Sequence, residues 1–243
     1  MKESLEDLGS LGALASSLPP PPSSDLLADV GSMRPVRTRV PLLALCIVAV
    51  AAAVYPVVGL AIYPLRPDLA ALPTWWLVSV ALVWLAGFIV PLTLAIMPRA
   101  GHVLPDGARA GRVAGLACLT AVLLGLLFTI DAPGVTIVPT SVWEMFRRYW
   151  WGCVSFGLKI SIPAVLVAAA VLRKVAVTRL PSLGAAVGAA GGAFAGLALH
   201  ALCPVGGAWH VGLAHGGGVV IGATIGALWL PLLVRLGGKR NDR

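Results

Sequence analysis

The densest group of residues that could do chemistry lies between His200 and His215, where three histidines surround one cysteine. Imidazole nitrogen and thiolate sulfur are preferred ligands of zinc and copper. A turn would bring His200 and Cys203 near His210, which makes these three the weak candidates for a metal site. His210 and His215 lie five positions apart, about 140° around a straight α-helix, so we expect that they cannot both bind one metal ion from the same face of a straight helix. The favoured interpretation is hydrogen bonding within the turn, with no metal or other cofactor.

The four cysteines fall into two pairs. Cys46 and Cys118 lie inside apolar stretches, where a thiol packs as a small apolar side chain. Cys153 and Cys203 lie at the ends of such stretches, on the face of the membrane that the distribution of positive residues places opposite the cytoplasm. An oxidising compartment permits a disulfide there. Because the sequence gives no distance between them, a disulfide, a reactive sensing pair and two unconnected thiols remain open.

The composition is typical of a membrane protein. Hydrophobic residues make up 58% of the 243, and charged residues 12%, about half of the roughly 25% usual in soluble domains. The net charge of +8 is scattered between apolar runs, whereas a nucleic-acid surface concentrates its positive charge. Phosphate-binding loops, serine elbows and carboxylate pairs within an apolar run are also missing from the sequence. We therefore predict a non-enzymatic membrane protein without direct nucleic-acid binding.

Six apolar runs are long enough to cross about 30 Å of hydrocarbon as helices. The sequence thus predicts an all-α integral membrane bundle of six transmembrane helices within residues 41–236, followed by a basic cytoplasmic tail at 237–243. The predicted spans are Pro41 to Tyr63, Trp75 to Met97, Val113 to Ile130, Trp151 to Leu172, Leu183 to Leu202 and Val211 to Leu236.

The placement of positive residues predicts the topology. Most Lys and Arg residues fall in the head, the second and fourth loops and the tail. Only Arg66, Arg147 and Arg148 fall in the opposite compartment. By the positive-inside rule, both termini are cytoplasmic.

Residues 1–40 form a predicted cytoplasmic segment divided by the run Pro19 to Pro22, which cannot lie inside a helix. Leucines before the run fall at spacings of three and four, and a second short amphipathic helix is predicted after it. A helix this short is unstable alone in water, so we expect a partner protein or a lipid surface to cover it. The alternative is a disordered tail with chance leucine spacing. The candidate contact residues are Leu5, Leu8, Leu11, Leu14, Leu26, Leu27 and Val30.

Glycines recur every four residues in the last two spans. Such strips let two helix backbones approach closely, so we predict that spans five and six pack as a tight hairpin. The strips are Gly184, Gly188, Gly192 and Gly196 in span five, and Gly218, Gly222 and Gly226 in span six.

Several short strings follow one another along the chain: Arg34-Pro35-Val36-Arg37, Arg66-Pro67-Asp68-Leu69, Cys153 with Phe156 and Gly157, Pro163, and Cys203-Pro204. In this order and spacing they resemble the NrsF family of bacterial membrane anti-sigma factors. In that family, a cytoplasmic head holds an extracytoplasmic-function sigma factor at the inner membrane until an envelope stress releases it. The resemblance implies the same role here, with sigma binding in the head and signal sensing at Cys153 and Cys203.

Two other functions stay open on the sequence. A metal- or haem-binding membrane redox protein would use His200, Cys203, His210 and His215. A small transporter would need polar groups at mid-membrane, which these spans largely lack. We therefore expect a multi-pass inner-membrane anti-sigma factor, whose partners are a sigma factor and the lipid bilayer.

Overall fold

The computed structural model describes residues 64–97, 106–172 and 179–238, together with Val50 and Val54. These residues are all-α, with no strand among them, and five helical stretches are long and apolar enough to cross a membrane. The predicted head and almost all of the first predicted span lie outside the described residues. The five main helices are α1 (Thr74–Ile96), α2 (Gly107–Leu127), α3 (Trp151–Leu172), α4 (Leu180–Leu202) and α5 (Gly217–Gly238).

The predicted bounds agree closely for α1, α3 and α4, but the predicted start of α2 at Val113 is wrong. The helix begins at Gly107, because Asp106 caps it: its Oδ1 accepts hydrogen bonds from the backbone of Ala108 at 3.0 Å and Arg109 at 3.1 Å. Such a cap satisfies amides that the first turn leaves unpaired. An apolar window misses this polar first turn.

Helix α4 forms the centre of the bundle, and most of its residues between Leu183 and His200 are buried. Its glycine strip packs against α5, as predicted. A Cβ added at Gly188 would overlap the backbone of Gly222, and one at Gly184 would overlap that of Gly226. Gly196 differs, because it faces the ring of Trp84 on α1. The glycines therefore let α4 lie against α5 and α1 at backbone distance.

Three connecting loops meet at one end of the bundle. Ile137, from the α2–α3 loop, accepts a hydrogen bond from Gly206 at 2.8 Å and donates one to Pro204 at 3.1 Å. Arg66, before α1, donates its backbone amide to Ala201 at 3.1 Å. The loops predicted to share a compartment are thus neighbours in space, as an up-and-down helix order requires.

Candidate functional site

Two π-helical segments lie beside the cysteines and histidines. One, Met145–Trp150, runs directly into α3, and Cys153 is in the first turn of that helix. The other, Val211–Gly216, precedes α5 and contains His215, while His210 adjoins its start. Cys203 caps the end of α4. Since π-helical turns are rare and concentrate at functional sites, their position marks this end of the bundle as the candidate site.

The four side chains Cys153, Cys203, His210 and His215 form one buried cluster. The two Sγ atoms lie 3.6 Å apart, and His210 Nε2 lies 3.5 Å from each of them. One nitrogen of His215 completes a set whose four ligand atoms are all within 4.8 Å of one another. Three separate parts of the chain therefore bring two thiols and two imidazoles to one point.

The expectation that His210 and His215 would face different directions is wrong. It assumed an α-helix, in which residues five apart are separated by about 140°. The intervening segment is a π-helix, whose i→i+5 hydrogen bonding places residues five apart on nearly the same face. Their rings consequently lie 5.1 Å apart, edge to face.

His200, predicted with Cys203 and His210 as a weak metal candidate, is not in the cluster. Its Nε2 lies 3.2 Å from the carbonyl oxygen of Leu77, and its ring lies 5.0 Å from that of Trp76. His200 therefore connects the end of α4 to α1. The set that the redox alternative requires is not assembled as predicted.

The cluster has an apolar surround. Leu199, Val205 and Ala214 are buried beside the two cysteines, and Tyr149, Trp150 and Phe156 pack against the same group. Trp150 Nε1 donates to the carbonyl of Leu213 at 3.3 Å, which ties one π-helical segment to the other. An apolar shell lowers the local dielectric and limits access by water.

Some polar atoms of the cluster have no partner among the described residues. Nδ1 of His210 and Nε2 of His215 are both buried without a hydrogen bond. More than nine-tenths of buried polar groups in proteins are paired, and exceptions often mark a catalytic group, an ion or a water. One ring nitrogen of each of these two histidines is therefore an exception of this kind among the described residues.

A buried ion pair holds the neighbouring loops together. Arg66 donates to both carboxylate oxygens of Asp68, at 2.6 Å each, and both side chains are buried. Thr136 donates to the same carboxylate, and Arg66 Nη1 lies 3.5 Å from the carbonyl of His200. The guanidinium holds the pKa of Asp68 below its usual value of 3.8, and Thr136 acts in the same direction.

A family model described as NrsF, negative regulator of sigma F, matches residues 27–236. The chain belongs to the NrsF family. No curated protein and no solved structure gave a match.

The match confirms the resemblance drawn from the sequence strings, and the NrsF assignment supports a sigma factor as the partner. The match begins at Leu27, so the leucines before the proline run lie outside it. All the candidate sigma-binding residues lie outside the described residues, and their role stays a prediction.

Sequence reasoning missed two features of the site. It noted Arg66-Pro67-Asp68 only as part of a family string, although a charged pair two residues apart beside an apolar run was a signal for a buried ion pair. It also missed the π-helical turns, since no residue pattern in Val211–Gly216 distinguishes that segment from an α-helix.

Proposed function

We propose that this protein is a membrane-bound anti-sigma factor that holds an extracytoplasmic-function sigma factor at the bacterial inner membrane through its cytoplasmic residues 1–40. The family match over residues 27–236 carries the proposal. Five stretches that are able to cross a membrane support the location. Lys and Arg residues are numerous in the termini and in every second loop and scarce in the other loops, which favours cytoplasmic termini.

The head would act by covering apolar surface of the sigma factor that otherwise docks on RNA polymerase. Burying four leucines contributes about 6–12 kcal/mol before ordering costs are subtracted. Because association costs at least about 4 kcal/mol, four leucines alone give micromolar binding at best. The second segment, Leu26, Leu27 and Val30, adjoins the matched range, so we propose it as the principal contact; Leu5, Leu8, Leu11 and Leu14 would extend it.

Release would follow from a change at the opposite face of the membrane, at Cys153 and Cys203. Their sulfurs lie 3.6 Å apart and both are free thiols. An oxidant of the envelope could take two electrons from them while two protons leave, forming a disulfide. Because the cysteines belong to α3 and to the α4–α5 turn, this bond would fix the relative position of three helices whose other ends face the cytoplasm.

Sigma binding is tested with the full chain in lipid nanodiscs and the purified sigma factor. We expect Leu26→Asp with Leu27→Asp to weaken binding at least about 100-fold, because the variant lacks two leucines that the sigma factor would cover. Leu5→Asp with Leu8→Asp is the matched control outside the family match, with the same charge change and a smaller expected loss. Unchanged affinity in the first variant would remove the second segment from the interface.

Sensing is tested in cells with a reporter for the released sigma factor. Cys153→Ser and Cys203→Ser should each change the response to the inducing stress while the protein still inserts in the membrane. Cys118→Ser is the matched control, since that thiol lies on α2 and packs against the main core, whereas Cys153 and Cys203 belong to a separate apolar group. A normal response in the Cys153→Ser, Cys203→Ser double variant would refute the sensing role.

A further inference from the structure

We infer that Cys153, Cys203, His210 and His215 form a tetrahedral site for one zinc ion. All four side chains are buried, and their ligand atoms lie within 4.8 Å of one another. The inference concerns residues of the transmembrane domain and would stand even if the chain bound no sigma factor.

The distances match the edges of a zinc tetrahedron. Zinc lies about 2.3 Å from sulfur and about 2.0–2.1 Å from imidazole nitrogen, so tetrahedral geometry requires about 3.8 Å between two sulfurs and about 3.6 Å between sulfur and nitrogen. Cys153, Cys203 and His210 show 3.6 Å between the sulfurs and 3.5 Å from each sulfur to Nε2. One triangular face of the site is thus already formed, and His215 reaches the fourth corner with a movement of the order of 1 Å.

Charge and burial favour a zinc ion over other occupants. Two thiolates balance the charge of a divalent cation, which leaves a neutral group in an apolar surround. The set contains no carboxylate, which disfavours magnesium, calcium and manganese. Four buried protein ligands are typical of a closed structural zinc site, with no position left for substrate.

An unpaired buried nitrogen of His215 also supports a bound ion. His215 is buried to all but 4% of its surface, and its Nε2 has no hydrogen-bond partner among the described residues. A buried imidazole nitrogen without a hydrogen-bond partner is a group that a bound ion can satisfy, and the ion would also fix the orientation of both rings. The π-helical segment has a local purpose in this arrangement, because its i→i+5 repeat brings His215 to the same side as His210, which adjoins the start of the segment.

The ion would join α3, the α4–α5 turn and the start of α5 at one end of the bundle. It would also hold both thiols as thiolates bound to metal. Removal of zinc would then be required before the two sulfurs could approach to form a disulfide, so the metal site would set the threshold of the proposed sensor.

The test is metal analysis of the full-length protein, purified from membranes in detergent under reducing conditions. We expect wild type to hold zinc at a one-to-one stoichiometry after dialysis against buffer free of metal. Cys153→Ser, Cys203→Ser and His215→Gln should each lower zinc affinity by more than about 10-fold, the lower limit for losing even an outer partner of a ligand. His200→Gln and Cys118→Ser are matched controls that should retain zinc.

A variant could lose zinc because it misfolds. Cobalt substitution in the wild-type protein avoids this ambiguity, because the cobalt spectrum reports the ligands directly. Cobalt in a site with two sulfur and two nitrogen ligands should give intense visible bands together with a thiolate charge-transfer band. A weak octahedral spectrum, or wild type holding no more zinc than Cys153→Ser, would overturn the proposal. Copper bound with the same stoichiometry would overturn the assignment to zinc. Binding of the sigma factor is measured on the same samples. The zinc content tests the metal site, and the sigma binding independently tests the proposed function.

Discussion

Asp68→Asn removes the negative partner of a buried arginine. In the native protein Arg66 donates two hydrogen bonds of 2.6 Å to Asp68, and the two side chains are 6% and 0% exposed. The amide has the size of the carboxylate, so the variant isolates charge from packing. One of the two oxygens facing Arg66 becomes an NH2 group, which cannot accept a hydrogen bond from the guanidinium.

The expected loss in the free energy of unfolding is about 3–5 kcal/mol, because a buried charge is left without its partner. An exposed pair provides the scale for comparison. Arg148 and Glu144 lie 3.5 Å apart with Arg148 62% exposed, and such solvated pairs contribute little to stability. Arg148→Gln is therefore the matched control.

The assay is unfolding of the purified protein in detergent, followed by tryptophan fluorescence. Replacing both partners, Arg66→Met with Asp68→Leu, should recover most of the loss, since no unpaired charge stays buried. If Asp68→Asn costs no more stability than Arg148→Gln, or if the double variant is as unstable as the single one, the burial of an unpaired Arg66 charge is not the cause of the loss.

Three further predictions use the same assay. Gly188→Ala should cost about 1–3 kcal/mol, since its Cβ overlaps the backbone of Gly222. Gly115→Ala has open space around it and should leave stability unchanged or raise it by up to about 1 kcal/mol, because alanine is the better helix former; equal effects of the two substitutions would contradict the close packing. The ion pair predicts a pH dependence: the lowered pKa of Asp68 gives stability that is complete above about pH 4 and falls as pH drops through the folded-state pKa. The difference between wild type and Asp68→Asn should therefore narrow only in strong acid, and narrowing between pH 7 and 5 would contradict the assignment. Trp150→Phe should cost about 1 kcal/mol through its lost hydrogen bond to Leu213, and no loss would exclude a role for that bond.

The helices and the hairpin of the last two could be predicted because their signals are local. Apolar runs of sufficient length predicted α1 to α5, and glycines at a spacing of four predicted the contact of Gly184 and Gly188 with α5. The start of α2 was missed because its first two turns carry Arg109 and Arg112, which an apolar window excludes, whereas Asp106 provides the cap.

The candidate site could be predicted only in part. Its residue types were visible, but the meeting of Cys153 with Cys203 depends on how α3 packs beside α4, which no pattern within either helix specifies. His210 and His215 were separated by assuming α-helical geometry, and His200 was included because it is near in sequence. In the structure His200 turns instead to the Leu77 carbonyl, since a helix end leaves room for only some side chains to face the cluster.

The most direct test of the account is the location of the sigma factor in cells. With the wild-type chain in the membrane and no stress, we predict that the sigma factor sediments with the membrane fraction and that its promoters are silent. With Leu26→Asp and Leu27→Asp it should move to the soluble fraction and activate them, although the variant itself still sediments with the membranes. A sigma factor that stays soluble beside the wild-type protein would contradict the account.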